Sequence, residues 1–204
     1  MTEKLWQYAM FFAILTIVFN IAEGLVSIWF GVSGDMLTLS GFGVDSFIET
    51  ISAVGVAVMI TRIRNNPDTD KSRFEITALK LTGWCFYVLA IILAVGAVFN
   101  LIHGHRPEST IAGVIISLIS IASMLGLIVA KKRLGLALSC PPLIADANCN
   151  LVCVYMSVVL LIASGAFAVF HFGWIDTVGT AGIIFFSVRE GRESLQRAQS
   201  LQEV

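Results

Sequence analysis

Four acidic side chains lie deep inside long apolar segments of this sequence: Glu23, Asp45, Glu49 and Asp146. A carboxylate surrounded by apolar groups is costly unless a cation or a proton accompanies it. Inside a membrane-spanning segment, such residues usually mark the path of an ion or a proton. The four acids therefore predict a polar interior that handles ions.

Asp45 and Glu49 are the closest pair among these four acids. They are four positions apart, so on a helix they share one face and lie about 6 Å apart along its axis. Two carboxylates stacked in this way repel each other unless a cation or a proton lies between them. The pair therefore predicts a site that exchanges a divalent metal ion for protons.

A second stripe of metal-binding residue types lies in the fifth apolar segment. Positions 146, 149, 150 and 153 follow the i, i+3, i+4, i+7 spacing of one helix face. They are occupied by Asp146, Cys149, Asn150 and Cys153. All four side chains can bind a metal ion, so the stripe is predicted to contribute ligands.

The two acidic faces are expected to lie at similar depth. Counted at 1.5 Å per residue, Asp45 and Glu49 lie roughly 20–26 Å from Arg62, and the stripe lies at an overlapping distance from Arg133. The second and fifth segments run antiparallel, so their polar faces are predicted to meet across one cavity. Asn20 and Glu23 share a face of the first segment and are assigned to the wall of that cavity. There Glu23 is expected to accept a proton or contact the cation transiently.

Composition identifies the elements that must position these residues. The chain of 204 residues is 57% apolar and 13% charged, with a mean hydropathy of +0.87. Soluble domains carry about 25% charged residues, so a soluble globule, a disordered chain, a coiled coil and a secreted disulfide scaffold are excluded. A span needs about 20 helical residues, and six segments qualify: 5–31, 38–61, 75–102, 108–130, 141–170 and 174–195. The sequence thus predicts an all-α membrane protein, with residues 1–204 forming one six-span domain. Its N-terminus is expected to be a retained first span, and no soluble cytoplasmic domain is expected.

The basic residues predict the orientation of this bundle. All of them except Arg106 lie at the N-terminus, in the 2–3 and 4–5 connections, or at the C-terminus. Basic residues accumulate on the cytoplasmic side of membrane proteins. Both termini are therefore expected in the cytoplasm, and the membrane is the plasma (inner) membrane if the protein is prokaryotic. The net charge of −1 gives no reason to expect a nucleic-acid partner.

Three segments resemble the cation diffusion facilitator family of metal/proton antiporters. The second span, SGFGVDSFIET, resembles the family's D/H-x-x-x-D pattern with Glu49 in the second acidic position. The fifth span resembles A-D-x-x-H-x-x-x-D, and the last, GWIDTVGTAGIIFFSVREGRESLQ, resembles the family's Trp/Asp-led final helix. The likeness is greater to the short branch without a cytoplasmic domain, which includes transmembrane-protein-163-like zinc transporters. It implies a six-helix bundle and a homodimer held by its membrane spans.

The resemblance leaves two ligand sets open in the fifth span. Alignment on Ala145 and Asp146 places Cys149 and Cys153 at the family's ligand positions, whereas matching depth favours Asp146 and Asn150. Two carboxylates with two thiolates suit Zn²⁺. An all-oxygen set favours Mn²⁺ or Fe²⁺ instead.

The function expected from these observations is a Zn²⁺/H⁺ antiporter that exports Zn²⁺ from the cytoplasm. The metal ion is its substrate, and no permanent cofactor is expected. The alternatives are an Mn²⁺ or Fe²⁺ exporter of the same type, or a membrane interaction protein that transports nothing and modulates a partner. An enzyme is not expected, because the sequence has no HExxH motif and no nucleophile–base pair.

Overall fold

The chain forms a bundle of long helices in a computed structural model. The structure describes residues 2–65, 72–103, 110–138, 140–170, 172 and 174–202. Within these ranges it has no strand, and its helices are α1 (Thr2–Ser33), α2 (Leu37–Asn65), α3 (Ser72–His103), α4 (Thr110–Ala137), α5 (Pro141–Phe170) and α6 (Trp174–Ser200). The predicted all-α membrane fold is confirmed. The helices extend beyond most of the predicted segments, and Arg106 lies outside the described residues.

Helices α1 to α5 are each long and apolar enough to cross a membrane. Helix α6 contains the predicted sixth segment, but its second half is rich in charge, with Arg189, Glu190, Arg192, Glu193 and Arg197. Large apolar side chains cover much of the outer surface, for example Ile91, Ile92 and Val95 on α3. A surface of this kind is suited to lipid rather than to water.

Two tight reversals set the positions of α2 and α5. After α1, Gly34 N–H donates to the carbonyl of Phe30 at 2.9 Å and Met36 N–H donates to that of Gly31 at 2.8 Å. Asp35 between them adopts a positive φ of 48°. Helix α5 begins at the Pro141–Pro142 pair, where the missing N–H groups cost least because the first turn has no intrahelical acceptors for them.

The helices pack most extensively in the pairs α1–α2, α4–α5 and α3–α6. The α1–α2 contact is very close: a Cβ atom added at Gly43 would lie 2.8 Å from the backbone nitrogen of Ile28. Helix α2 also packs against α5. Helix α2, which carries Asp45 and Glu49, therefore lies between the polar face of α1 and the stripe on α5.

Candidate metal centre

Asp45, Glu49 and Cys153 meet inside the bundle. One ligand atom from each lies within 4.8 Å of those of the other two, and all three residues are buried. Asp45 and Glu49 come from α2 and Cys153 comes from α5, so two helices supply the cluster. Two carboxylates and one sulfur at this spacing can surround a single divalent ion.

Several oxygen atoms at this cluster have no hydrogen-bond partner. They are both carboxylate oxygens of Asp45, Oδ1 of Asn20 and Oε1 of Glu23, and all are buried. Buried polar atoms in proteins are almost always partnered. All four atoms are acceptors in their charged or amide form, so a cation or added protons would satisfy them.

Helix α1 supplies the wall of the cluster. Asn20 Nδ2 donates to Glu49 Oε2 at 3.2 Å. Ser46 Oγ of α2 donates to Glu23 Oε2 at 3.0 Å. Asn20 thus lies beside Glu49, and Glu23 lies beside Ser46 on the same helix as Glu49.

A serine network supports the sulfur side of the cluster. Ser157 Oγ donates to the carbonyl of Cys153 at 2.7 Å and lies 2.9 Å from Ser120 Oγ on α4. Ser120 Oγ lies 3.9 Å from Cys153 Sγ. Ser120 was not predicted from the sequence, because one serine in an apolar span carries no pattern that distinguishes it.

Asp146 and Asn150 are bound to Lys131 of α4. Lys131 Nζ lies 2.6 Å from Asp146 Oδ2, and both side chains are buried. When the Asn150 amide is oriented to match its hydrogen-bonding neighbours, its oxygen accepts a hydrogen bond from Lys131 Nζ at 3.2 Å. Lys131 Nζ thus has two partners on α5. Asp146 therefore neutralises the lysine, Asn150 adds a hydrogen bond to it, and Asp146 is not part of the three-residue cluster.

This pairing corrects two expectations from the sequence. The depth estimate for Asp146 is wrong, because the chain continues in α4 to Ala137 and then reverses before α5 begins at Pro141. Counting straight on from Arg133 therefore placed Asp146 too far along the bundle. Lys131 was expected at the water-exposed side with the other basic residues, but its side chain is fully buried.

The two cysteines of the stripe differ in position. Cys153 belongs to the cluster, whereas Cys149 is only half-buried and is not part of it. Cys149 and Asp45 both lie within electrostatic range of Glu190 on α6. Glu190 is buried, although it lies in the charge-rich second half of α6.

A model of the cation efflux transmembrane domain matches residues 13–199 of the chain. The match contains the whole cluster and at least part of every helix. A search of curated proteins gives no significant match. Because the matched region covers most of the chain, this protein belongs to the cation diffusion facilitator family and is an integral membrane transporter of divalent metal cations.

Proposed function

We propose that this transporter exchanges Zn²⁺ for protons and exports Zn²⁺ from the cytoplasm, with Asp45, Glu49 and Cys153 as its metal ligands. The observation that carries the proposal is their convergence within 4.8 Å at a buried position. The unpartnered acceptor atoms beside them support it, since a buried acidic cluster without a cation must take up protons instead.

The choice of Zn²⁺ rests on the sulfur atom. Thiolate is a soft ligand that favours Zn²⁺ over Mn²⁺ or Fe²⁺, whereas carboxylates serve all three. Asp146 and Asn150, which would supply the all-oxygen ligand set in the fifth span, contact Lys131 instead. An Mn²⁺ or Fe²⁺ exporter is the alternative in which Cys153 takes no part in binding.

Zinc prefers four ligands in tetrahedral geometry, so one position remains beside the three residues. Oδ1 of Asn20 suits that position, because it is buried and unpartnered while Nδ2 of the same amide contacts Glu49. A water molecule would leave the metal easier to release. The alignment with the family implies that Cys149 is a ligand, but Cys149 is not part of the observed cluster.

Proton coupling follows from competition for the same atoms. Carboxylates and thiols bind a metal ion only when deprotonated, so metal binding releases protons and protonation releases the metal. We assign to Glu23 the role of a further proton acceptor, since it is buried beside Ser46 with one unpartnered oxygen. We further propose that both termini lie in the cytoplasm and that the protein forms a homodimer through its membrane helices.

The test is metal uptake into proteoliposomes under an imposed pH gradient, with Zn²⁺ and Mn²⁺ compared. We expect faster Zn²⁺ flux that depends on the gradient and is abolished by Asp45→Asn. Cys153→Ser should reduce Zn²⁺ flux more than Mn²⁺ flux. Cys149→Ser, one helical turn away, is the matched control and should transport Zn²⁺ normally.

Two results would contradict the proposal. Zn²⁺ flux that persists in Asp45→Asn would remove the cluster from the mechanism. Equal loss of Zn²⁺ flux in both cysteine variants would favour the two-thiol ligand set that the family alignment implies.

A further inference from the structure

A carboxylate on α6 binds the first turn of α2. Asp176 Oδ2 accepts a hydrogen bond from Leu37 N–H at 2.9 Å, and Oδ1 accepts one from Thr38 N–H at 3.1 Å. In the opposite direction, Thr38 Oγ donates to the backbone carbonyl oxygen of Asp176 at 2.7 Å. The same Oγ lies 3.1 Å from Oγ of Thr180, one turn further along α6.

These contacts form a helix cap supplied from a distant part of the chain. The first N–H groups of a helix have no intrahelical acceptor, and a polar residue just before the helix usually satisfies them. Here Met36 precedes α2 and has no side-chain oxygen. The cap comes instead from a residue 138 positions away. The positive end of the α2 dipole also stabilises the carboxylate, although Asp176 is only 3% exposed.

Asp176 is poorly suited to bind the transported cation. Both carboxylate oxygens already accept hydrogen bonds from backbone N–H groups. Those N–H groups would lose their partners if the side chain turned to a metal ion. Asp176 therefore has a structural role, which is to hold the start of α2 in place.

Helix α2 carries the acidic pair of the metal cluster. Asp45 lies seven residues beyond Thr38, about 10 Å along the helix axis. A continuous helix transmits an axial shift or rotation at Thr38 to Asp45 and Glu49. The cluster needs these carboxylates opposite Cys153, which belongs to α5 and not to α6.

We propose that Asp176 is a positioning residue for transport, which sets the axial position and rotation of α2 so that Asp45 and Glu49 face Cys153. This inference rests on the proposed metal site and adds a residue on α6 to it. It makes metal affinity depend on a carboxylate that does not contact the metal.

The experiment uses Co²⁺ as a probe on the purified full-length protein in detergent. Co²⁺ bound by a thiolate gives a sulfur-to-cobalt absorption band, so the band reports Cys153 and a titration gives the Kd. We expect Asp176→Ala to raise the Kd about tenfold or more, as the loss of supporting contacts around metal ligands does. The band should also lose intensity at saturation. Asp176→Asn, which keeps one acceptor oxygen, and Thr38→Val, which keeps both N–H contacts, should show smaller changes in the same direction.

Glu193→Gln is the matched control. It also removes an acidic charge from α6, but Glu193 is partly exposed and pairs with Arg189 on its own helix. Its Kd and band should equal those of the parent protein. A purely structural role for Asp176 would lower the yield of folded protein and leave both readouts of the folded fraction unchanged.

The outcomes separate the two proposals. A parent protein without the band contradicts the proposed metal site and this inference with it. A parent with the band, combined with an unchanged Kd and band in folded Asp176→Ala, overturns this inference alone. If Asp176→Ala does not fold, the folded Asp176→Asn and Thr38→Val variants decide by the same criterion.

Discussion

Lys131 and Asp146 form an ion pair of 2.6 Å whose side chains are only 0% and 2% exposed. The pair joins α4 to α5 near the point where the chain reverses between them. Two charges removed from water are tolerated when each has a close partner and further hydrogen bonds, and Asn150 supplies one of these. The stripe on α5 is thus divided between two tasks: Asp146 and Asn150 bind α4, and Cys153 faces the acids of α2.

The first prediction concerns the stability of this pair. Lys131→Met leaves the Asp146 carboxylate buried without its partner, and we expect it to destabilise the protein by about 3–5 kcal/mol. Replacing both residues with apolar ones, as in Lys131→Met with Asp146→Leu, should recover most of that loss. Thermal unfolding of the protein in detergent measures both effects. A double variant no more stable than Lys131→Met would show that the two charges do not act as a pair.

The second prediction concerns pH. Protons and Zn²⁺ compete for the same oxygen and sulfur atoms, so the Kd for Zn²⁺ should rise as the pH falls and should fall as the pH rises. Calorimetric titrations in buffers of different ionisation enthalpy give the number of protons released per Zn²⁺ bound. Asp45→Asn, which cannot ionise at that position, should release fewer protons than the parent. A proton count of zero in the parent at every pH would contradict exchange at this site.

The third prediction concerns Asn20, whose amide contacts Glu49. Asn20→Ala removes that hydrogen bond and an unpartnered buried oxygen, and we expect the Kd for Zn²⁺ to rise roughly 10–100-fold. Asn148→Ala is the matched control, because Asn148 is exposed on α5. Isothermal titration of both variants tests the expectation. Equal affinities in the two variants would assign Asn20 to helix packing alone.

The fourth prediction concerns the close approach of α1 and α2. A Cβ at position 43 would lie 2.8 Å from backbone and side-chain atoms of Ile28, so Gly43→Ala should push the helices apart and cost about 1–3 kcal/mol. At Gly126 of α4 an added Cβ meets nothing within 4 Å. Gly126→Ala should therefore be neutral or stabilise the protein by up to about 1 kcal/mol. Thermal unfolding compares the two, and a larger loss at position 126 would refute this account of the α1–α2 contact.

The sequence predicted the helices and much of the cluster for identifiable reasons. Long apolar segments are decisive for membrane helices, because a spanning helix must satisfy its backbone within itself. The i, i+4 spacing of Asp45 and Glu49 then fixes their common face without any knowledge of the other helices.

The choice among the four residues on α5 could not be made in the same way. A stripe of this width on α5 contacts two neighbouring helices, and periodicity does not say which side chain faces which neighbour. The outcome depends on Lys131, whose position in a basic cluster at the end of a span is typical of a water-exposed residue. Asp176 was also missed as a cap, because its partner N–H groups lie more than a hundred residues earlier in the chain.

Two hydrogen bonds that join α1 to α2 have a consequence for how the protein enters the bilayer. Asn20 with Glu49, and Glu23 with Ser46, connect neighbouring helices that are joined by a reversal of only a few residues. A nascent hairpin of these two helices can therefore shield three of its costliest side chains before any later helix has been synthesised. A substitution that weakens these contacts is therefore expected to reduce membrane insertion as well as metal binding at the proposed site.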